Sequence, residues 1–302
     1  MISIVIPLYN KEDYIAKTIQ SILTQTFQNF EIVIINDGST DGSVKEVQCF
    51  EDKRIRLFEQ TNAGVSAARN RGITEAQYEF IAFLDADDEW LPDYLMTIYS
   101  LINKYSTCSV FATQYILKSQ SSSQSIITQG LPFDTDGIMD NYFYIASKNM
   151  PPLCASAICV KKEAMEKIGG FPLGIKSGED LLTWARLAAI YQIAFNTSHL
   201  SIYHNDVEKW EPGRPTDNKD IVGMELKKLL KTINENQRNS LKNYIGFWHK
   251  MRASTFIRHN QRVLSIKETI LSIFYNPWNI KTYAFFPLAF MPNSILKYLF
   301  GK

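Results

Sequence analysis

The first ninety residues alternate two kinds of segment, and that alternation restricts the fold more than any other feature of the chain. Short apolar runs, "ISIVIP" at 2–7, "FEIVIIN" at 30–36, "RIRLFEQ" at 54–60 and "EFIAFL" at 79–84, read as strands. Between them lie stretches with helical spacing, the first carrying Ile15, Ile19, Ile22 and Leu23 on one face. A second helix opens near Asp41, and a third covers "GVSAARNRGITEA" at 64–76. Strands that alternate with helices need crossover connections, which give a mostly parallel α/β sheet flanked by helices. Ligands of such sheets sit beyond the carboxyl ends of the strands. Three polar clusters lie there: Pro7-Leu8-Tyr9-Asn10, Asn36-Asp37-Gly38 and Asp85-Ala86-Asp87.

The third cluster raises an electrostatic problem. The apolar run Phe80–Leu84 ends on Asp85-Ala86-Asp87-Asp88-Glu89. That much negative charge repels itself unless solvent or a cation relieves it. Either this is an acidic loop at a strand end, or it is a divalent-metal site built on oxygen ligands. Other residues have two readings as well. Asp37 suits a helix N-cap or an Asx-turn. Arg69, on pattern alone, is a surface arginine of the third helix. Glu179 and Asp180 open the helix "GEDLLTWARLAAIY", where negative charge complements the positive helix end.

The middle of the chain is less regular. "CSVFATQYILKSQSSSQSIITQG" reads as two strands joined by a serine-rich turn, an antiparallel excursion. "LCASAICVKKEAMEKIGGF" reads as a strand, a short helix and a glycine turn, and "IAFNTSHLSIYH" as a strand ending at His204. Past "EPGRPTDN" the pattern is helical, so residues 1–214 are expected to form one domain and 215–302 a helical extension. Val222, Leu226, Leu229, Leu230 and Ile233 share one face. So do Leu241, Tyr244, Ile245, Trp248 and Met251, and then Val263, Ile266, Ile270 and Phe274.

Charge divides the same way. Residues 1–214 carry 18 Lys and Arg against 26 Asp and Glu, while 215–302 carry 14 against 5. A basic tail suits a solvated helical face or an anionic surface, lipid or nucleic acid. The chain has no motif with the aromatic interleaving of nucleic-acid modules, so no nucleic acid is expected. Pro287 and Pro292 cut the last apolar segment into pieces too short to span a bilayer. Its aromatics near Lys297 and Lys302 suit an in-plane membrane element, or packing on the domain or on a homodimer partner. The sequence opens without a basic leader, and its four cysteines form no C-x-x-C pair. These features suggest small core cysteines in a reduced compartment, hence a cytoplasmic protein, peripheral on the inner face of the plasma membrane.

Five segments, taken together, resemble a known family. "IVIPLYN", "EIVIINDGSTDGS", "NAGVSAARNRGI", "FLDADDEWLP" and "GEDLLTWARLA" occur in the order and spacing of family 2 glycosyltransferases, which have the Rossmann-like GT-A fold. The resemblance covers roughly residues 1–205. It implies an inverting transfer of one sugar from a nucleoside diphosphate sugar, with Mn²⁺ or Mg²⁺. The chemistry agrees, because a departing diphosphate needs its charge stabilised and a hard cation on carboxylates does so. The resemblance also distributes roles. Asp87 would bind the metal, Asp85 the ribose or a metal-bound water, and His204 would complete the metal shell. Asp37 would accept the uracil N3–H of a UDP-sugar, with Pro7 and Tyr9 lining that pocket and Ala86 within the D-x-D motif. Arg69 would lie near base and diphosphate, where its planar fork suits anionic oxygens. Asn10, Glu12 and Gly64 join the donor side, Gly64 by permitting a tight backbone approach. Asp180 would be the general base, and Glu179 would face the acceptor. Asp88 would support the loop from behind, Trp90 would pack beneath it, and Trp184 would lie in the core. The implied protein is a hexosyl- or N-acetylhexosaminyltransferase acting on a glycan or lipid-linked precursor of a cell-surface polysaccharide. It lacks the Q-x-x-R-W motif and membrane helices of processive members. The alternative is an inactive nucleotide-binding or scaffold protein on the same fold.

Overall fold

A computed structural model describes residues 1–119, 122–148, 150–205 and 219–300. The expected boundary at 214/215 and Lys302 lie outside the described residues. Ten strands form one sheet: β1 (Ile2–Leu8), β2 (Phe30–Asn36), β3 (Ile55–Glu59), β4 (Phe80–Phe83), β5 (Glu89–Trp90), β6 (Val110–Lys118), β7 (Ser123–Ser125), β8 (Asp136–Ile138), β9 (Ile158–Lys161) and β10 (Ile193–His204). Their order is β3-β2-β1-β4-β9-β6-β10-β5, with β7 on β6 and β8 on β10. The helices α1 (Ile15–Leu23), α2 (Ser43–Gln48), α3 (Val65–Glu75), α4 (Tyr94–Lys104), α5 (Tyr142–Ala146), α6 (Lys162–Lys167) and α7 (Glu179–Ala188) intervene. The tail is α8 (Ile221–Thr232), α9 (Glu235–Arg258), α10 (Arg262–Tyr275), α11 (Ile280–Tyr283), α12 (Phe285–Leu288) and α13 (Asn293–Phe300).

The expected parallel sheet is the half β3-β2-β1-β4, where every pairing is parallel. Beyond β4 the sheet is mixed, because β9 enters antiparallel to both β4 and β6. The serine-rich excursion is there, with β7 folded antiparallel onto β6. β10 runs parallel to β6 and therefore in the direction of β4. The carboxyl ends of β1, β2, β4 and β10 thus share one edge, bringing residues near 9, 37, 85 and 204 together. The strand order reverses direction between β1 and β4, the switch point where α/β sheets open a crevice.

Period-2 alternation sorts the core. Ile4, Ile6 and Leu8 of β1 pack with Ile15, Ile19 and Ile22 of α1 and with Leu95 and Ile98 of α4. Val5, Val33 and Ile35 face the other way, toward Ala68 of α3. Gly72 lets α3 sit on β1: a Cβ there would come within 2.2 Å of Val5 Cγ1. The same cluster takes in Val222 and Leu226 of α8 and Leu241, Tyr244, Ile245, Phe247 and Trp248 of α9. Trp184 is fully buried, as expected.

One expectation fails: Cys49 is exposed, at the outer end of α2, whereas Cys108 and Cys159 are buried; all four cysteines are free. Helix α10 turns its apolar stripe outward. Its outward face carries Val263, Ile270 and Phe274, at 80%, 55% and 76% exposure, and only Ile266 of the predicted stripe packs inward. The buried face is Ser265, Glu268, Thr269 and Ser272. Two of these donate to α9, Ser265 Oγ to the Ala253 carbonyl at 2.9 Å and Ser272 Oγ to that of Gly246 at 2.7 Å, while Thr269 Oγ1 donates within α10 to the Ser265 carbonyl at 2.8 Å. Gly246 permits the approach, since a Cβ there would meet Asn276 Cβ at 2.8 Å. Among the described residues no helix is long and apolar enough to cross a membrane.

Candidate active site

The loop after β4 is held from several sides. Thr18 of α1 donates to the carbonyls of Ala86, at 3.0 Å, and Asp88, at 2.8 Å. Trp90 lies beneath, as expected, stacked on Tyr94 with its indole N–H on the Ser156 carbonyl at 2.7 Å. The loop's carboxylates point in different directions. Asp87 Oδ2 meets Lys11 Nζ at 2.6 Å, and Asp85 Oδ1 meets Arg69 Nη2 at 2.6 Å. Asp88 turns inward and is fully buried, accepting from Ser156 Oγ and, at 2.8 Å, from the His204 amide. Burial pushes the Asp88 carboxyl well above its ordinary range, and Asp85 and Asp87 add to the rise. It ties the acidic loop to the end of β10, the supporting role expected of it. His204 reaches the same loop, with Nε2 2.6 Å from Glu89 Oε1. Lys17 Nζ holds that carboxylate oxygen too, at 2.7 Å, and Glu89 is lowered on balance although burial works to raise it.

Arg69 is not on the surface. Only 3% of it is exposed, and its guanidinium lies 5.1 Å above the Phe171 ring. From there it joins two chain segments: Asp85 on one side and Glu179 Oε1, 3.6 Å from Nη1, on the other. Burial works against its charge, but Asp85, Glu179 and Asp180 outweigh that and hold it more firmly protonated than a free arginine. Asp180, next on α7, accepts from the Leu181 amide at 2.7 Å. Burial raises the Asp180 carboxyl above its ordinary value, with Arg69 opposing the rise.

The start of α7 is set by the tail. Gly178, just before the helix, has φ +86°, and a Cβ there would meet Trp248 Cη2 of α9 at 2.6 Å. Trp248 is held in turn by Asp220 Oδ1, which accepts its indole N–H at 2.9 Å. Tyr244 donates its hydroxyl to the Leu181 carbonyl at 3.2 Å. Ser156 and Lys11 carry no signal in the sequence, and Trp248 shows there only as part of an apolar helix face.

At the end of β2, Asp37 is 3% exposed and caps no helix of its own, since α2 begins only after Gly42. Its carboxylate accepts from Gln60 Nε2 at 2.7 Å and from the Ala63 and Gly64 amides at 2.9 Å each. Gly64 has a φ of +89°, which favours glycine, and no protein atom lies within 4 Å of a Cβ built there. Asn10, at φ 50°, accepts from the Thr40 amide at 2.8 Å, and Glu12 from the Gly42 amide at 2.6 Å. Both brace the loop between β2 and α2. Pro7 pairs in β1 opposite Ile35, and Tyr9 follows it, 47% exposed.

The segments from β1 to Ser156 lie within a recognised domain: the Glycosyl transferase family 2 model matches residues 3–168, and α7 and His204 lie beyond it. The chain belongs to that family. Among curated relatives of this family 2 chain, GlyA of Streptococcus pneumoniae is 45% identical over 106 residues, 34% of this chain and 15% of that protein. An uncharacterised glycosyltransferase of Rickettsia felis is 32% identical over 190 residues, 62% of this chain and 30% of that one. The chain therefore matches less than a third of the length of either relative. Among solved structures, residues 1–349 of S. aureus TarS in complex with UDP-GlcNAc superpose with a TM-score of 0.60 at 17% identity, over 90% of this chain and 91% of that one. The mannosyltransferase PcManGT of Pyrobaculum calidifontis, with GDP-Man and Mn²⁺, gives 0.59 at 17%, over 100% and 87%. At those identities the likeness establishes the GT-A fold.

A second cluster of potential ligands, Asp220, His249 and Glu268, lies among the tail helices. Arg252 already supplies it with a cation, 3.0 Å from Glu268 Oε1, while His249 Nδ1 sits 2.6 Å from Glu268 Oε2. It reads as a buried ion network beside Trp248, not as a metal centre.

Proposed function

We propose that the chain transfers one sugar from a UDP-sugar to a hydroxyl of a glycan acceptor, with inversion at the anomeric carbon. The observation that carries the reading is Arg69, whose one guanidinium links Asp85 of the D-x-D loop to Glu179 beside Asp180. Donor-side and acceptor-side carboxylates therefore belong to one electrostatic unit. Asp85 and Asp87 offer hard oxygen ligands suited to a divalent cation such as Mn²⁺ or Mg²⁺ at the sheet edge, where they pair with Arg69 and Lys11, while the His204 ring is engaged by Glu89. When bound, such a cation supplies Lewis-acid stabilisation of the departing diphosphate. Asp37, with Pro7 and Tyr9 nearby, receives the uracil; Asn10, Glu12 and Gly64 shape the walls around it, and Ala86 spaces the two loop aspartates. Arg69 and Lys11 keep positive charge where the diphosphate would lie.

Asp180 accepts the acceptor hydroxyl's proton. Its raised pKa makes it a better base than a free carboxylate, while Arg69 and the first turn of α7 favour its ionised form. Glu179 orients the acceptor. The donor sugar is a hexose or N-acetylhexosamine, and the acceptor a lipid-linked or cell-surface polysaccharide precursor at the cytoplasmic face of the plasma membrane. That places the protein peripherally on an anionic membrane, as a catalytic domain over 1–214 with a helical extension over 215–302.

Thermal shifts with nucleoside diphosphates and their sugars, with and without Mn²⁺, test the donor side. A ligand at about 100 times its dissociation constant adds roughly 2.7 kcal/mol. A metal-dependent shift confined to UDP compounds is expected; no shift with any nucleotide sinks the reading. Binding without turnover on any glycan acceptor would favour the inactive nucleotide-binding scaffold.

A further inference from the structure

The outward face of α10 is built to meet something apolar. Val263, Lys267, Ile270 and Phe274 follow one another at helical spacing on that face, all exposed. Trp278, 88% exposed, Ile280, 82%, and Phe290, 79%, are further large apolar residues exposed in the segment that follows the helix. The opposite face of α10 is already spent on polar bonds to α9, so the helix cannot turn its apolar side inward without breaking them. Large apolar side chains gathered on one exposed helix face mark an interaction surface.

Charge chooses the partner. From Arg262 to Lys302 the sequence holds five cations and one acid, Glu268. That acid is buried and paired to His249 and Arg252. Lys267 and Lys281 are exposed in the same segment. A second copy docking on this face would bring like charges together with no acid of the segment to pair them. An anionic bilayer offers both complements, hydrocarbon for the apolar side chains and headgroup phosphates for the lysines.

We infer that the outward face of α10, with Trp278, Ile280 and Phe290, is an in-plane docking surface for an anionic lipid bilayer. The inference rests on the membrane-side reading above and gives it a surface. Vesicle binding tests it without reference to sugar transfer, so the two stand or fall separately. The full chain is sedimented with phosphatidylcholine vesicles alone and with the same vesicles containing phosphatidylglycerol. Binding is expected only to the second and should weaken with salt. Lys267→Glu with Lys281→Glu should lower the partition coefficient at least about twenty-fold, at roughly five-fold per charge. Phe274→Ser with Trp278→Ser should lower it about ten-fold or more. These side chains are exposed, and an unchanged melting temperature shows that each variant is folded. Absence of binding to anionic vesicles, or binding that both variants leave intact, overturns the inference. So does a dimer in solution that Phe274→Ser dissolves, which would assign the face to a second copy.

Discussion

Arg69→Met is the substitution that best separates a designed ion network from a fortuitous one. Methionine has nearly the length of arginine, so the change removes charge more than volume. At an effective dielectric constant of roughly 20, the 2.6 Å pair with Asp85 alone is worth about 6 kcal/mol before any desolvation cost. Burying the guanidinium offsets much of that, and removing one partner of a buried pair leaves a net loss of about 3–5 kcal/mol. Asp85 can recover some hydration, being 24% exposed at its side chain, but Glu179 at 9% cannot. Urea unfolding followed by tryptophan fluorescence measures the loss. The sign of its pH dependence is fixed. Without Arg69 the already raised pKa of Asp180 rises further, so its ionised form destabilises the fold at pH 7 and less so as pH falls toward that raised value. The gap between wild type and variant should therefore narrow from pH 7 to pH 5. Asp85→Asn with Glu179→Gln in the Arg69→Met background should recover most of the loss. A variant within about 1 kcal/mol of wild type at pH 7, or a gap that stays constant to pH 5, refutes the argument.

Other substitutions probe single links. Asp180→Asn should lower kcat by about 10² to 10⁴-fold while UDP binding, read by calorimetry, is unchanged. In the wild type, kcat should rise with pH through the raised pKa of Asp180, above the ordinary 3.8, and the Asn variant should lose that limb. Trp248→Phe leaves Asp220 without its indole partner and loosens the start of α7. It should lower kcat more than it raises the donor KM, whereas a general loss of structure would lower the melting temperature without that split. Gly72→Ala forces a methyl to within 2.2 Å of Val5 and should cost about 1–3 kcal/mol in urea denaturation.

What could be read in advance follows the range of the interactions. β1, β2 and β4 are legible because β-branched runs with polar ends are local signals, and the donor-side candidates Tyr9, Asp37, Asp85 and Asp87 lie at those ends, whereas Asp180, at the start of α7, is a candidate only through the family resemblance. The partners of those candidates were not legible. Lys11 meets Asp87 across 76 residues, Ser156 meets Asp88 across 68, and Trp248 reaches Gly178 from another helix. No periodicity reports such contacts. The direction of the α10 stripe has a different origin. Its apolar spacing is local, but the way it faces depends on Ser265, Glu268 and Ser272, whose polar side chains find partners on α9. Pattern gives the stripe; the neighbouring helix decides which stripe is inside.

The same long-range packing decides whether the helical tail is an appendage. Eight buried residues of 222–248, namely Val222, Leu226, Ile233, Leu241, Tyr244, Ile245, Phe247 and Trp248, lie in one cluster with the sheet residues Val5, Val33 and Ile158. Full burial of such a side chain is worth about 1.5–3 kcal/mol, so their removal withdraws an upper bound of roughly 12–24 kcal/mol. Domains retain only about 5–15 kcal/mol in total. A fragment ending at residue 214 should accordingly fail to fold, giving no cooperative urea transition and no UDP-dependent melting shift. The two regions then differ in composition and charge yet fold as one unit. A soluble 1–214 fragment with a cooperative transition would show instead that α8 and α9 merely rest on a self-sufficient domain, and that the contact of Trp248 with Gly178 is dispensable for holding Asp180 in place.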